Sequence, residues 1–196
     1  MPAGEFPHFE PEFCGSAAKM GESDRMDRID RKILDLFQHD TRRIADSIGA
    51  EVGLSPAAVQ RRLKRLRENG TIRAEVACLD GRSVGVPIAC VVLVTMVSRA
   101  GPAASLDRFR RRMRDLPQVQ QCYQVTGPSD IVLIVSAGSM EEYGAFARQW
   151  FEGNEEVARY ETLVVIDRVK VGLSLPLAPD EAPPPHRRPR RNPAKG

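Results

Sequence analysis

Residues 44–73 constrain the fold of this chain more than any other stretch. Apolar side chains recur here every four residues, which predicts the buried face of a short helix made by Ile44, Ile48 and Val52. Gly53 can adopt the positive φ that ends such a helix, and Ser55 followed by Pro56 favours the start of a second one. Two helices joined by a short turn with glycine form a helix-turn-helix pattern.

The second helix of this pattern, predicted to end at Asn69, presents a basic outer surface. Its inner stripe consists of Val59, Leu63 and Leu66. Such a helix can lie in the major groove of DNA, where Gln60 and Arg61 have the reach to read bases. The basic side chains further along suit phosphate contacts: Lys64, Arg65 and Arg67. The predicted DNA-binding residues are Ser55, Ala57, Gln60, Arg61, Lys64 and Arg65. The alternative, a merely solvated basic face, is less consistent with the glycine turn and the Ser-Pro cap.

The composition is that of a soluble protein with substantial cores, 42% hydrophobic and 28% charged. The net charge of +3 is mild, so contact with a polyanion requires local basicity, which the second helix and the C-terminal end provide. No apolar run approaches the roughly 18–20 residues that span a bilayer. The N-terminus also lacks the basic and apolar regions of a secretion signal. We therefore expect a cytoplasmic protein without membrane contact.

Cysteine and histidine spacing predicts neither a metal site nor a catalytic centre. The cysteines contain no C-x-x-C pair, which favours reduced thiols at Cys14, Cys78, Cys90 and Cys122. The histidines are too scattered to hold a metal ion: His8, His39 and His186. No Ser/His/Asp spacing and no phosphate-binding loop is present. We therefore expect no catalytic residues, no metal ligands and no cofactor.

Changes in composition divide the chain into five segments. They are a disordered N-terminal extension (1–25), the helix-turn-helix domain (26–73), a hinge with a linker strand (74–87), a second domain (88–175) and a disordered Pro/Arg-rich tail (176–196). The helix-turn-helix domain gains a first helix with the apolar stripe Ile29, Ile33, Leu36 and Phe37. Met1 and Met26 are both open as the biological start. The tail arginines either add phosphate contacts or only solubilise the chain.

The second domain follows the order strand, helix, strand, strand, helix, strand. The predicted elements are a strand over 88–97, a helix from Leu106 to Leu116, strands over 119–126 and 131–137, a helix capped by Ser139, and a strand over 157–171. This order is the ferredoxin-like βαββαβ motif, so the whole chain is expected to be an α+β protein. Because the central strands are apolar on both faces, the sheet face without helices needs cover. Sheet-on-sheet pairing in a homodimer provides it.

Residues 26–175 resemble the Lrp/AsnC family, the feast/famine transcriptional regulators. The resemblance is carried by MDRIDRKIL, VGLSPAAVQRRLKRLRENGTI, VTGPSD and ETLVVIDRVK, in this order. It implies an N-terminal, winged-helix-like helix-turn-helix domain joined by a β-hinge to a βαββαβ domain for effector binding and oligomerisation. It also implies homodimers that commonly assemble to octamers and bind double-stranded promoter DNA. An amino acid or related small molecule is then expected at the interface between dimers.

The loop from Gly127 to Asp130, Gly-Pro-Ser-Asp, corresponds to the effector loop of this family, which usually reads Gly-Asp-aromatic-Asp. Gly127 and Asp130 match the family pattern, whereas the first Asp and the aromatic residue are replaced. The resemblance also implicates two positions where the family often has hydroxyl groups. The effector-binding residues implied by the resemblance are Thr126, Gly127, Asp130 and Thr162. A plain hairpin turn is the alternative interpretation of this loop.

These observations predict a sequence-specific DNA-binding transcriptional regulator whose DNA binding or assembly is modulated by an amino acid or related small molecule. One alternative is an architectural DNA-binding protein that responds to no ligand. Another is an enzyme like the haem-pathway decarboxylases that some relatives of the family are. That chemistry looks to depend on His and Arg side chains around a tetrapyrrole pocket, and none of the three histidines lies within residues 88–175. We therefore expect no enzyme activity.

Overall fold

The computed structural model describes residues 26–97 and 102–177, which fold into two compact units. Of the described residues, one unit contains those from 26 to 76 together with those from 172 to 177, and the other contains those between 77 and 171. No helix within the described ranges is long and apolar enough to cross a membrane. The disorder predicted for residues 1–25 and for the tail beyond residue 177 lies outside the described residues.

The first unit contains three helices, α1 (Arg28–His39), α2 (Ala45–Val52) and α3 (Pro56–Glu68). Their shared core is formed by Ile33, Phe37, Ile48, Val59 and Leu63. Helix α1 starts at a capping box, in which the Asp27 side chain accepts from the main-chain N–H of Asp30 and the Asp30 side chain accepts from that of Asp27. The predicted three-helix unit is confirmed, and so are the apolar stripes of α1 and α3.

The turn between α2 and α3 depends on two glycines. Gly53 has a φ of 73° and donates its main-chain N–H to the Gly49 carbonyl oxygen, which also accepts from Leu54 at 3.0 Å. A Cβ at Gly49 would lie 2.5 Å from the Leu54 carbonyl oxygen. The helix-turn-helix predicted from the sequence is therefore present, and it needs glycine at a second position that the sequence pattern did not single out.

One residue of the predicted buried face of α2 lies outside it. Ile44 is 65% exposed, whereas Ile48 is fully buried. The reason is that Ile44 occupies the N-cap of α2 with an extended backbone, so the four-residue period of the helix does not apply to it. The prediction of a buried Ile44 was wrong.

The second unit confirms the βαββαβ order. Its elements are β1 (Ile88–Met96), α4 (Pro102–Arg114), β2 (Val119–Gln124), β3 (Ile131–Ala137), α5 (Met140–Trp150) and β4 (Val157–Val164). The strands form one sheet in the order β2-β3-β1-β4, with every neighbouring pair antiparallel. Side chains of both helices pack into a common core with one face of the sheet, as Phe109 of α4 and Phe146 of α5 illustrate.

The two faces of the sheet differ in burial. On the helix-covered face, Val92 and Leu133 pair across β1 and β3 and are fully buried. The opposite face carries half-buried apolar side chains in register, Val91, Leu93, Val132 and Ile134, flanked by Tyr123 and Leu163. Tyr123 and Leu163 are 49% and 48% exposed. The sheet therefore presents an uncovered apolar face, as its sequence predicts, and we call these six residues the open sheet face.

One predicted strand is absent, and the ends of two others are corrected. Residues 74–84 contain no strand, since no neighbouring strand of the described chain offers them backbone partners. Only the turn after Asp80 is present, held by a hydrogen bond from the Ser83 main-chain N–H to the Asp80 side chain at 3.0 Å. Strand β4 ends at Val164, which pairs with Cys90 near the start of β1, so the residues up to 171 have little of β1 left to pair with. Strand β2 ends at Gln124, which leaves Thr126 in the loop.

The segment after β4 ends on the helical unit. The side-chain amide of Gln38 in α1 donates to the carbonyl oxygen of Leu175 at 2.9 Å and accepts from its main-chain N–H at 2.9 Å. The predicted boundary after residue 175 therefore differs from the division of the structure, in which residues 172–177 belong with the three helices.

Candidate nucleic-acid interface and ligand loop

The outer surface of α3 brings together five of the six predicted DNA-binding residues. Ser55, Ala57, Gln60, Arg61 and Lys64 are all exposed. The inner stripe of the same helix is buried, which fixes the direction in which these side chains point. Pro56 at the first helical position and the two alanines after it keep the N-terminal turn small. Such a turn allows close approach of the backbone to another molecule.

Ser55 acts first as the N-cap of α3. Its side-chain oxygen accepts a hydrogen bond from the main-chain N–H of Ala58 at 3.3 Å. The hydroxyl proton is not used by this bond, so the same group can still donate to an outside acceptor such as a phosphate oxygen. The structure thus gives Ser55 a local role in addition to the predicted DNA contact.

The basic side chains of α3 differ in the partners they have within the chain. Arg61 makes no ion pair among the described residues. Lys64 lies 3.7 Å from Glu68, but both side chains are more than 60% exposed, so this contact constrains Lys64 little. Arg61 and Lys64 are therefore the cations of α3 with the most freedom to meet a nucleic acid.

Arg65 does not point freely outward as predicted. It is half-buried, and its guanidinium group forms an ion pair with Asp30 of α1, whose carboxylate is fully buried. Arg67, which the sequence pattern assigned to a phosphate, pairs with Glu75 at 2.7 Å and stacks over the Phe37 ring. The physical reason is that α1 and the segment after α3 pass close to these side chains, which a helical wheel of α3 alone does not show.

Arg62 is a residue that the sequence interpretation missed. Its Nη1 atom lies 2.8 Å from Asp30 Oδ1 and 2.6 Å from Asp27 Oδ2, so it bridges the two carboxylates of the capping box. The signal available in the sequence was the spacing of Asp27 and Asp30, which is that of a capping box. The ion pairs of Asp27 and Asp30 with Arg62 depend on how α1 packs against α3, which the spacing of residues in the sequence does not show.

The contacts among Asp27, Asp30 and Arg62 shift the pKa values of Asp27 and Arg62. Partial burial raises the pKa of Asp27. Hydrogen bonds from the Asp30 main-chain N–H and from Arg62 lower it, and so does the positive charge of Arg62. The net effect is a pKa below the ordinary value. The hydrogen bonds that Arg62 donates to Asp27 and Asp30 raise the pKa of its guanidinium group further. Each group thus stabilises the charged form of the other.

The loop between β2 and β3 is braced against β1. Gly127 has a φ of 131°, a conformation that favours glycine. The Thr95 hydroxyl donates a hydrogen bond to the carbonyl oxygen of Pro128 at 3.3 Å. The main-chain N–H of Asp130 donates to the carbonyl oxygen of Val94 at 2.9 Å. The loop is therefore a structured hairpin connection whose tip, with Thr126 and Gly127, is exposed.

The four predicted effector-binding residues do not lie together in one chain. Thr126, Gly127 and Asp130 share the loop, whereas Thr162 lies on β4, at the other edge of the sheet. Across the sheet, the β2 side of the loop is three strand spacings from β4, or about 14 Å, and Asp130 at the start of β3 is two spacings from it, or about 10 Å. The Thr162 hydroxyl forms a hydrogen bond with the Tyr143 hydroxyl of α5 and faces the helix layer.

No cluster of three or more His, Cys, Asp or Glu side chains arranged to hold a metal ion occurs in the parts of the chain that the structure describes. The described cysteines are unpaired thiols. Burial raises the pKa of the Cys90 and Cys122 thiols, which disfavours their reactive thiolate forms.

Two family models match the chain. Residues 26–67 match the AsnC-type helix-turn-helix domain, and residues 89–175 match the Lrp/AsnC ligand binding domain. An HTH-type transcriptional regulator of Sinorhizobium fredii, y4tD, is 40% identical over 152 residues, which cover 78% of this chain and 89% of that protein. The regulator AldR of Mycolicibacterium smegmatis is 32% identical over 146 residues, covering 74% and 84% of the two chains.

Solved structures show the same architecture. An AsnC family transcriptional regulator from Agrobacterium tumefaciens superposes with a TM-score of 0.70 at 30% identity, covering 78% of this chain and 97% of that one. The transcriptional regulator NMB0573 of Neisseria meningitidis, solved in complex with L-Met, also has a TM-score of 0.70, at 26% identity and with coverages of 78% and 97%. These relatives are named as regulators, which points away from an enzyme.

Proposed function

Because the chain belongs to the Lrp/AsnC family of transcriptional regulators, with a DNA-binding and a ligand-binding domain, we propose that α3 reads promoter DNA and that an amino acid or related small molecule controls this binding or the assembly of the protein. We further propose the cytoplasm as its place of action. The proposed domain boundaries are 26–73 for DNA binding and 88–175 for the effector, with residues 74–87 as a connecting hinge.

The observation that carries the DNA-binding proposal is the exposed N-terminal half of α3. Ala57 leaves room for the backbone, and Gln60 offers an amide that can pair with adenine. Arg61, which makes no ion pair within the described part of the chain, offers a guanidinium that can pair with guanine. Lys64 lies one turn beyond Gln60 and suits a phosphate. This arrangement supports base readout by Gln60 and Arg61 and a positioning contact by Lys64.

Selection of bound sequences from a pool of random DNA duplexes tests this proposal directly. The purified full chain is expected to enrich a two-fold symmetric motif with half-sites about 34 Å apart, because paired helix-turn-helix units read sites one helical turn apart. Enrichment of no motif, with binding that is equal for all sequences, would refute sequence-specific regulation. The same experiment would then favour the architectural alternative.

A homodimer is proposed on the strength of the open sheet face. Leu93 and Val132 pair across β1 and β3 at its centre, with Tyr123 beside them on β2. A patch of large apolar side chains on one face of a sheet is typical of an interface between protein subunits. A second copy that packs its own open sheet face against this one would cover both faces. Further assembly to octamers is proposed because the Lrp/AsnC resemblance implies it.

An amino acid is the proposed effector class because a neighbour in structure, NMB0573, was solved with L-Met. In this chain Gly127 exposes main-chain groups, and Asp130 supplies a carboxylate that can meet an ammonium group. Thermal unfolding of the full chain with a panel of free amino acids tests the proposal. A ligand at about 100 times its dissociation constant stabilises the folded state by about 2.7 kcal/mol. A panel without any shift would argue against an amino-acid effector.

A ligand-independent, architectural DNA-binding function is the second candidate. It is favoured by a specific feature of the loop, since the Asp130 carboxylate already accepts a hydrogen bond from the main-chain N–H of Met96. Pro128 and Ser129 also stand where the family usually has a carboxylate and an aromatic ring. This candidate predicts DNA binding and assembly that no amino acid changes.

A further inference from the structure

The carboxylate of Asp30 is a fully buried charge with both oxygens occupied. Oδ1 accepts from Arg62 at 2.8 Å, while Oδ2 accepts from Arg65 and from the main-chain N–H of Asp27 at 3.0 Å. A buried carboxylate of this kind strongly retains its cationic partners, because losing one would leave an unpaired charge away from water. Asp30 therefore fixes two of the five basic side chains of α3.

Arg62 and Arg65 would otherwise be available to DNA. Arg65 lies one helical turn after Arg61, and a shallow depression on α3 is lined by Arg61, Arg62 and Arg65 together with Leu54 and Ala58. A free guanidinium on such a surface can neutralise a phosphate whatever the base sequence. It strengthens binding to random DNA more than binding to the operator, because base contacts fix the register of the helix only on the operator, and elsewhere the helix can shift to where its guanidinium groups meet phosphates. Each arginine that stays on Asp30 removes one such contact.

We propose that Asp30 is a positioning residue that determines specificity, holding Arg62 and Arg65 away from the DNA phosphates so that Gln60, Arg61 and Lys64 dominate the interface. The inference rests on the proposed DNA-binding function of α3. It assigns the discrimination between operator and random DNA partly to α1, a helix without a proposed base contact. The pairing of Asp27 with Arg62 at 2.6 Å adds a second tie to the same end of α1.

The competing interpretation is that Asp30 only stabilises the three-helix fold. The two interpretations differ in what happens to binding of random-sequence DNA. If Asp30 restrains the arginines, its neutralisation releases them and strengthens this binding. If Asp30 is only structural, its neutralisation weakens binding to operator and random DNA together.

The test measures the affinity of the Asp30→Asn full chain for its selected operator and for a random duplex of equal length over a series of salt concentrations. For random DNA we expect the slope of log K against log salt to become steeper by about one to two, since each released arginine displaces about 0.9 counterions. The ratio of operator to random affinity is expected to fall by about tenfold or more. An unchanged slope, or equal loss on both duplexes, would overturn the proposal.

A second pair of variants applies even if Asp30→Asn does not fold. Arg65→Gln should leave the salt slope on random DNA unchanged, because the guanidinium group of Arg65 is paired with the Asp30 carboxylate and releases no counterion from DNA. Lys64→Gln, the matched control from the exposed side of the same helix, should reduce the slope by about one. A slope reduced as much by Arg65→Gln as by Lys64→Gln would refute the restraint. Failure of the wild-type chain to prefer any sequence would instead refute the proposed function.

Discussion

The carboxylate of Asp130 accepts a hydrogen bond from the main-chain N–H of Met96 at 2.7 Å, which ties the start of β3 to the end of β1. Asp130 is therefore a structural residue as well as the proposed partner of an ammonium group. Asp130→Asn keeps an oxygen acceptor for Met96 and removes the negative charge. We expect it to fold and bind DNA like the wild type while losing any amino-acid effect on thermal unfolding and assembly.

Asp130→Ala serves as the control for the structural role. It loses the acceptor as well, and should destabilise the second unit by about 1–3 kcal/mol, the usual effect of losing a hydrogen bond to a charged group. Chemical denaturation of the three proteins separates the two effects. If Asp130→Asn responds to an effector as the wild type does, the carboxylate is not part of the effector site.

Arg61→Ala is expected to relax sequence preference. Since Arg61 has no ion-pair partner among the described residues and is proposed to meet a base edge, its loss should cost about 1–3 kcal/mol on the operator and little on random DNA. Fluorescence anisotropy with both duplexes measures this difference. Equal weakening on both would identify Arg61 as a phosphate contact.

Gly49→Ala is expected to destabilise the helix-turn-helix. The added Cβ would lie 2.5 Å from the Leu54 carbonyl oxygen, so the turn must move, at a cost of about 1–3 kcal/mol. Gly144→Ala on α5 is the matched control, because its Cβ would meet only the mobile end of Arg148 at 3.4 Å. That change should raise helix stability by about 0.5–1 kcal/mol. Urea denaturation measures both, and equal effects would contradict the close approach.

Leu93→Glu is expected to prevent dimerisation. It places a charge at the centre of the open sheet face, where a partner sheet would have to bury it without a counter-charge. Sedimentation velocity should show a folded monomer. Ala145→Glu, on the exposed side of α5, adds the same charge and should leave the dimer intact. An unchanged dimer in the Leu93 variant would move the interface elsewhere.

The Asp27–Arg62 pair predicts a pH dependence of stability. The pKa of Asp27 is lowered on folding, so its ion pair stabilises the folded chain fully above the ordinary value of 3.8 and loses this effect as pH falls through the lower folded pKa. Asp27→Asn retains the N-cap oxygen but not the charge. The wild type should therefore be more stable than Asp27→Asn above about pH 4, with the difference shrinking at lower pH. A constant difference from pH 3 to 6 would contradict this.

The sequence predicted what depends on local periodicity. The inner stripe of α3, with Val59 and Leu63, follows from the 3.6-residue repeat, and the bounds of β3 were predicted from its apolar run. The uncovered sheet face followed from strands that are apolar on both sides. These features depend on residues that are near one another in the chain.

Features that depend on packing between distant segments were not predictable in this way. Asp30 and Arg65 are 35 positions apart, and only the crossing of α1 and α3 brings them together. Similarly, β4 was predicted too long because its end is set by where β1 starts to pair, at Cys90 opposite Val164. Thr162, which the family resemblance groups with the loop, lies on the strand at the opposite edge of the sheet, and its part in an effector site stays a prediction.

The two hydrogen bonds between Gln38 and Leu175 make the DNA-binding unit discontinuous in sequence. The ligand-binding unit is in effect an insertion, with the main body of its host before it and a short closing segment after it. A fragment that stops at Val76 would consequently lack part of the domain it was cut to represent. A circular permutation that joins residue 177 to residue 26 would keep the host whole, and is the better starting point for isolating it.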